Sequence, residues 1–354
     1  MKKITIETRQ PYDVCISRKL LSETGKILKE RFSPCTVAIV SDTTVAKLYL
    51  TALENSLSEA GFKCCSFVFP VGESNKNLST YGQLAAFLSE QKISRGDLII
   101  ALGGGVTGDL AGFTAATYLR GIAWVQIPTT LLAAVDASVG GKTGIDLPSG
   151  KNLLGAFHQP SLVLCDCDCL LSLGAEQIQD GVAEMIKHGA IADISLFKRL
   201  HKKLSIADSD MEELICRNIE IKRQYVLADE HDCHQRQLLN FGHTIGHAIE
   251  KCSNYQLSHG QAVAIGMCCE LRAARRLGLS QFHENELQAV VQEQSLPFIC
   301  EFSVENIWAA ALNDKKRSGE RINLVILPQP GAGELISLNM QDLRRFVELA
   351  LEVQ

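Results

Sequence analysis

Five short apolar runs punctuate the first 170 residues: Thr36–Val40, Lys63–Phe69, Leu98–Leu102, Ala123–Ile127 and Leu162–Cys165. Segments of helical length, such as Thr43–Ala60 and Leu78–Gln91, lie between most of them. A strand that is apolar along its length, rather than at alternate positions, is buried on both faces, and such strands form parallel sheets covered by helices. Ahead of these runs, Ile4–Glu7 and Val14–Ser17 read as a short hairpin turning near Arg9-Gln10-Pro11. From Gln177 to about Gln292 the apolar period becomes mainly helical. A second hairpin, Asn323–Leu327 with Glu334–Leu338, precedes a closing helix over Gln341–Leu351. The expected fold is an α/β N-terminal domain, Rossmann-like with a mostly parallel sheet, over residues 1–170, and a mostly α-helical C-terminal domain over 171–354. The boundary is expected near Cys165–Leu173, with the active site in the cleft between the two.

Composition narrows the function. A chain of 354 residues has room for two hydrophobic cores, and 46% hydrophobic with 21% charged residues is a globular balance. The net charge of −5, without a dominant basic run, argues against a nucleic-acid partner. No apolar run approaches the roughly 20 residues that span a bilayer. Met1–Glu7 lacks the apolar core of a signal peptide, so a cytoplasmic location is expected. Thirteen cysteines, an odd number at irregular spacing, read as reduced thiols. Cys165, Cys167 and Cys169 would share a strand face, but no second cluster completes a ligand set, and they read as structural thiols.

The run Asp97–Leu102 leads directly into Gly103-Gly104-Gly105-Val106-Thr107-Gly108-Asp109, followed by a helical stretch. Glycines here let backbone N–H groups approach phosphate oxygens at a helix N-terminus. The same cluster is also compatible with a plain tight turn. The acid that would take a ribose hydroxyl does not follow this turn; it ends the earlier run Val40-Ser41-Asp42, where a helix cap is the competing role. Gly140-Gly141-Lys142-Thr143-Gly144 resembles the end of a P-loop, but Asp136 stands where the first P-loop glycine belongs, which argues against an NTPase.

His243 and His247 lie four apart, on one helix face, in Asn240-Phe241-Gly242-His243-Thr244-Ile245-Gly246-His247. Thr244 occupies the position where a HExxH protease carries its base, which excludes that class. His259 follows in Ser258-His259-Gly260, and Glu184 and Lys187 sit three apart in Ala183–Lys187. One Glu with two of these histidines makes a three-ligand set with open positions, as in catalytic zinc sites; a surface or packing role for the pair is the alternative. His158, His188, His201, His231, His234 and His283 have no such context and read as solvent-facing or structural.

Taken together and in this order, the motifs resemble the 3-dehydroquinate synthases from about Val40 to Leu327. The resemblance is carried by Gly103–Asp109, Ala115–Gly121, Pro128–Leu132, Asp136 to Asp146, Lys151-Asn152, Ala183–Lys187 and Arg236–Glu250. It implies a dehydroquinate synthase-like fold and metal ligands Glu184, His243 and His259, holding zinc most often and cobalt as the alternative. It implies NAD over the glycine turn, contacted by Asp42, Gly72, Glu73, Lys76, Gly105, Val106, Thr107, Gly108, Asp109, Thr129, Thr130, Lys142, Lys151, Cys169 and Ser172. The implied substrate is an acidic sugar phosphate, 3-deoxy-arabino-heptulosonate 7-phosphate. Lys222 and Arg236 match carboxylate-binding positions, and Asn240, His247 and Lys315 or Lys316 match phosphate-binding ones. Asp136, Lys142, Asn152, Lys187 and His247 match catalytic positions that orient hydroxyls and relay protons. Arg120 matches a residue that reaches the phosphate of a neighbouring subunit, which implies a homodimer.

The chain departs from the family pattern at Ser172-Leu173-Gly174, where Thr-Leu-Pro is usual; Ser keeps the hydroxyl and Gly loosens the turn. Related cyclases acting on glucose 6-phosphate or sedoheptulose 7-phosphate lack a substrate carboxylate, so Lys222 with Arg236 argues against them. A metal-dependent polyol dehydrogenase would have no use for the phosphate set Arg236, Asn240 and His247. A non-catalytic scaffold would be expected to have lost Glu184, Lys187 or a histidine.

Overall fold

The computed structural model describes residues 1–315 and 321–352. The chain divides into two compact units, one of Met1–Leu173 with Ser209–Arg223, the other of Gly174–Asp208 with the described residues from Gln224 onward.

The first unit contains β1 (Lys2–Ile6), β2 (Tyr12–Ser17), α1 (Leu20–Lys29), β3 (Thr36–Asp42) and α2 (Thr43–Val45). A π-turn over Ala46–Leu50 carries α2 into α3 (Thr51–Glu59). Then come β4 (Lys63–Phe69), α4 (Leu78–Glu90), β5 (Leu98–Gly103), α5 (Gly105–Thr117), β6 (Ala123–Pro128), β7 (Lys142–Leu147), β8 (Gly150–Phe157) and β9 (Leu162–Asp166). Seven strands form one sheet in the order β1-β2-β9-β6-β5-β3-β4, parallel except for β1, which pairs antiparallel with β2. β5 and β9 are buried at every residue, as continuous apolar runs require. Ile39, Ile100, Val125 and Leu164 pack with Leu28, Leu53 and Leu57 of α1 and α3 on one face. Val40, Ile99, Ala101 and Trp124 pack with Leu84, Leu88, Leu110 and Phe113 of α4 and α5 on the other. Each such fully buried Leu or Ile stabilises the unit by about 1.5–3 kcal/mol.

β3 pairs with β4 on one side and β5 on the other, so the chain runs outward and then crosses back. That reversal is a topological switch point, and the crevice beyond the strands' carboxyl ends is where such sheets bind ligands. Asp42 ends β3, Gly103 ends β5 and Pro128 ends β6. The hairpin β7–β8 lies outside the large sheet and was not anticipated as strands. Lys142–Gly144 therefore falls in a strand, where a P-loop would need a helix. β9 stops at Asp166, so only Cys165 of its three thiols lies on the strand; Cys167 and Cys169 occupy the following 3₁₀ turn, and all three are buried.

The second unit contains α6 (Ala175–Ala192), α7 (Ile194–Arg199), the end of α8 (Met211–Ala228), α9 (His243–Cys252), α10 (His259–Arg276), α11 (Glu284–Glu293) and α12 (Val304–Lys315). The hairpin of β10 (Arg321–Gln329) and β11 (Ala332–Asn339) and then α13 (Met340–Leu351) complete it. Ile245, Ile249, Cys269, Ile307, Leu324, Phe346 and Val347 form its core. α8 begins in the first unit, where Glu213 pairs with Lys2 and Arg223 Nη2 with Glu7 at 2.5 Å. Assigning everything beyond residue 170 to the second unit therefore misplaces Ser209–Arg223. Among the described residues no helix is long and apolar enough to cross a membrane.

Candidate active site

The glycine turn sits at the carboxyl end of β5. A Cβ on Gly103 would come within 2.4 Å of Thr107 Oγ1, one on Gly104 within 2.9 Å of Thr130 Cγ2, and one on Gly108 within 2.3 Å of Gln126 Nε2. The turn is thus packed against its own helix and against the β6 end, and side chains there would hold α5 off the sheet. Gly104 caps α5 without a side chain, so the first amides of Gly105, Val106 and Thr107 open onto the switch point. The Thr129 side chain is buried, and its Oγ1 has no hydrogen-bond partner among the described residues. Thr130 Oγ1 accepts from Ala133 N at 3.2 Å. Asp42 does cap a helix, accepting at Oδ1 from Thr44 N at 2.8 Å and Val45 N at 3.0 Å. Open helix amides, an orphaned hydroxyl and a strand-end carboxylate fit a dinucleotide.

Gly72, at φ 115°, opens the short turn Glu73–Asn75 that leads to Lys76. Lys76 Nζ lies 2.7 Å from Glu73 Oε1, 3.2 Å from Asp109 Oδ2 and 3.6 Å from Asp146 Oδ1. Burial pulls the lysine down, but the three carboxylates outweigh it and raise its pKa. Burial pushes Asp109 up to about 6 against the attraction of Lys76. Of the cluster, Glu73, Lys76 and Asp109 were expected in the site; Asp146, matched only as the end of a motif, is the partner that was missed.

Asp136 lies in a π-turn, Ala133–Ala137, where Lys222 donates to its carboxylate and, at 2.6 Å, to its backbone oxygen. Lys142 begins β7 and is exposed, while Lys151 and Asn152 lie on β8. Asn152 has φ 54° and donates its N–H to Asp146 Oδ1 at 2.8 Å, which joins it to the Lys76 cluster. Arg120 is exposed, in a run of positive φ at Leu119, Arg120 and Gly121 of 51°, 67° and 115°. Ser172 and Cys169 are tied to Tyr49, whose hydroxyl lies 2.6 Å from Ser172 Oγ and 2.9 Å from Cys169 O. Gly174, at φ −74°, holds a conformation that proline also takes, so this departure leaves the backbone path intact.

In the second unit, Glu184 of α6, His243 at the start of α9 and His259 at the start of α10 bring one carboxylate oxygen and two ring nitrogens within 4.8 Å of one another. Glu184 Oε1 is 3.7 Å from His243 Nε2 and 3.4 Å from His259 Nε2. Donors about 2.0–2.1 Å from one tetrahedral ion lie roughly 3.3 Å apart, so the set fits zinc or a similar ion. Each ring's second nitrogen is engaged: His243 Nδ1 faces Phe241 O at 3.2 Å and His259 Nδ1 faces Glu250 Oε2 at 3.7 Å. Such partners orient ligand rings and fix their tautomer. Burial holds His243 down to about 3, helped by Lys187, His247 and His259 and opposed by Glu184. Burial also works against His259, but hydrogen bonds to Glu184 and Glu250 push it up to about 10. The other carboxylate oxygen of Glu184 pairs with Lys187, and both residues are 1% exposed. Sequence reasoning gives Glu250 no role of its own; its position one turn after His247 is the signal that points to it.

Three glycines bring the histidines together. Gly242 caps α9 at φ 81°, and a Cβ there would meet Met267 Cγ at 2.4 Å. Gly246 and Gly266 let α9 and α10 touch backbone to backbone, leaving the ring of His243 5.2 Å from that of His247 and 5.4 Å from that of His259. A Cβ on Gly266 would fall 2.0 Å from Gly242 O. Gly266→Ala is expected to cost about 1–3 kcal/mol of stability through overpacking. A urea melt with an unchanged midpoint would show that the helices part without penalty.

Arg236 is 2% exposed, its Nη1 donating to Glu230 O at 2.8 Å and its N–H to Asp229 Oδ2 at 3.2 Å. Asn240 ends the same 3₁₀ turn and is exposed, as is His247. Lys315 is the last residue of α12, and Lys316 lies outside the described residues.

Residues 66–180 match the family described as 3-dehydroquinate synthase N-terminal, and residues 181–317 match 3-dehydroquinate synthase C-terminal. The 3-dehydroquinate synthase of Streptococcus suis is 42% identical over 354 residues, spanning 98% of this chain and 100% of the relative. That of Clostridium kluyveri is 39% identical over 356 residues, 98% of each chain. Among solved structures, a 2-deoxy-scyllo-inosose synthase complexed with carbaglucose-6-phosphate, NAD+ and Co2+ superposes with a TM-score of 0.86 at 23% identity, over 98% of this chain and 99% of that one. A 2-epi-5-epi-valiolone synthase from Streptomyces hygroscopicus with NAD+ and Zn2+ bound gives 0.85 at 25% identity, over 96% of this chain and 95% of that one.

Proposed function

Because the chain belongs to the 3-dehydroquinate synthase family, we propose that it converts 3-deoxy-arabino-heptulosonate 7-phosphate to 3-dehydroquinate and phosphate, as a carbon–oxygen lyase of the shikimate pathway that needs NAD and a divalent metal. The observation that carries this reading is the trio Glu184, His243 and His259, converging within 4.8 Å in a chain related to that family along its length. When bound, NAD supplies a reversible hydride acceptor and the metal a Lewis acid for vicinal hydroxyls.

The chain's own residues supply the rest. In the first unit, the α5 amides and the buried Thr129 hydroxyl bind the cofactor, with Gly72, Glu73, Lys76, Asp109, Thr130, Lys142, Lys151, Cys169 and Ser172 around it. The first unit thus serves as the NAD-binding domain and also supplies Asp136 and Lys222 to the substrate, and the second serves as the metal-binding domain with the remaining substrate groups. Lys187 and Asp136 orient hydroxyls and move protons, each already in an ion pair. Lys142 and Asn152 assist. Two anionic ends of the substrate call for fixed cations and hydrogen-bond donors: Arg236 and Lys222 for the carboxylate, and Asn240, His247 and Lys315 or Lys316 for the phosphate. Arg120, displayed by its left-handed backbone, serves the phosphate of a second copy in a homodimer. A cytoplasmic location agrees with such a pathway.

The test incubates purified protein with the heptulosonate phosphate, zinc and catalytic NAD, following phosphate and product by mass spectrometry. Formation of 3-dehydroquinate with phosphate and no net NADH is expected. Turnover only of a carboxylate-free sugar phosphate would make it a sister cyclase, and stoichiometric NADH would make it a dehydrogenase.

A further inference from the structure

We propose that two carboxylates outside the ligand trio, Glu270 and Asp180, are positioning residues that hold His243 and His259 in place by bonding to the chain on both sides of each. The inference rests on the metal reading above. Each histidine is the first residue of its helix. There the backbone amides have no intrahelical acceptor, so the direction of the ring depends on what satisfies that first turn.

For α9 the helix cannot satisfy itself. Its cap is Gly242, which has no side chain and, at φ 81°, leaves little choice of residue. Glu270, on α10 and 1% exposed, takes the role instead. Its Oε2 accepts from Gly242 N at 2.8 Å and its Oε1 from Ile245 N at 3.1 Å, so His243 lies between the two clamped amides. For α10, Ser258 forms a capping box with Gln261, and its hydroxyl donates to Asp180 Oδ1 at 2.6 Å. Gly260 N donates to the same oxygen at 2.7 Å, so His259 is also held from both sides. A Cβ on Gly260 would lie 2.4 Å from Asp180 Cα, so α6 presses directly on this turn.

The two clamps share a logic. Asp180 lies one turn before Glu184 on α6, so the helix that supplies the carboxylate ligand holds the start of the helix that supplies His259. Glu270 lies on that second helix and holds the start of the one that supplies His243. The three ligand-bearing helices are thereby linked in series by charge-assisted hydrogen bonds, each placing a carboxylate at a helix N-terminus, where the helix dipole favours it. These bonds go to backbone amides and a serine hydroxyl, so their effect is to hold donor positions.

The test measures zinc affinity of the full chain by competition with a chromophoric chelator, with the cobalt d–d spectrum and the thermal melt before metal addition as companions. In Glu270→Gln the amide group can accept only one of the two backbone N–H groups, and Asp180→Ala removes the single oxygen that accepts from both the Ser258 hydroxyl and Gly260 N. Each is expected to weaken zinc binding by about 10–100-fold and to alter the cobalt spectrum. Parent-like affinity and spectrum in both variants, whatever the melt shows, would overturn the proposal and leave the carboxylates a purely structural part. If Glu270→Gln does not fold, Asp180→Ala, at a half-buried residue, decides on its own. A parent chain that takes up no zinc or cobalt overturns the ligand reading itself, and the clamps with it.

Discussion

Glu184→Gln is expected to lower turnover by about a thousandfold or more, because several kcal/mol of Lewis-acid stabilisation are lost and each 1.4 kcal/mol is about tenfold in rate. Its Oε1 is the point on which both ring nitrogens converge, at 3.7 and 3.4 Å. A neutral amide of the same size keeps the shape but removes the only negative charge in the trio. Zinc in the purified protein should fall to a small fraction of the parent's, which metal analysis reads directly. A second effect must be separated from this one. Lys187 is buried against the same carboxylate, and removing its counter-ion leaves a cation with less compensation in a dry place. Glu184→Asp distinguishes the two: it keeps the charge but shortens the reach, so it should recover stability more than zinc. Full zinc and full turnover in Glu184→Gln would remove this residue from the ligand set.

What was legible in the sequence followed from burial and local spacing. β5 and β9 were readable because both their faces are covered, which writes an unbroken apolar run. β8 was not, because Asn152, Leu153, Leu154 and Gly155 are all exposed and carry no period. The α/β layer and the helical region were visible for the same reason, whereas the start of α8 was misassigned because a helix's periodicity does not say which core it joins. In the site, His243 and His247 declared themselves by their spacing on one helix face, and the glycines by their density. Asp42 has the capping role that was one of its two readings. The long-range partners were silent. Glu270 reaches Gly242 across 28 residues and Asp180 reaches Gly260 across 80, and an acid in the middle of an amphipathic helix reads as an ordinary solvated one. Asp146 was hidden likewise, since only the fold brings β7 beside Lys76.

That last juxtaposition makes Lys76→Met the most destabilising change expected in the first unit. Lys76 is 3% exposed and pairs with Glu73, Asp109 and Asp146, and Lys151 adds a weaker attraction to Glu73. Removing it leaves three partly exposed carboxylates together, a loss of about 1–3 kcal/mol at neutral pH, less than for fully buried charges because solvent reaches each of them. The pH dependence carries a definite sign. Burial already raises Asp109 from 3.8 to about 6 with Lys76 present, and Asp146 is raised by burial too. Without the lysine both rise further. An acid whose folded pKa exceeds its unfolded value makes the folded state bind the extra proton, so stability falls as pH rises through that window. Glu73 behaves oppositely: despite burial, Lys76 holds it below its usual value, a contribution present above that value and lost as pH falls. The gap between parent and Lys76→Met should therefore be wide at pH 8 and narrow toward pH 5, as the acids protonate and the lysine has less to compensate. Urea melts of both proteins at the two pH values measure it. An equal penalty at both would mean that Lys76 stabilises this turn through packing rather than charge.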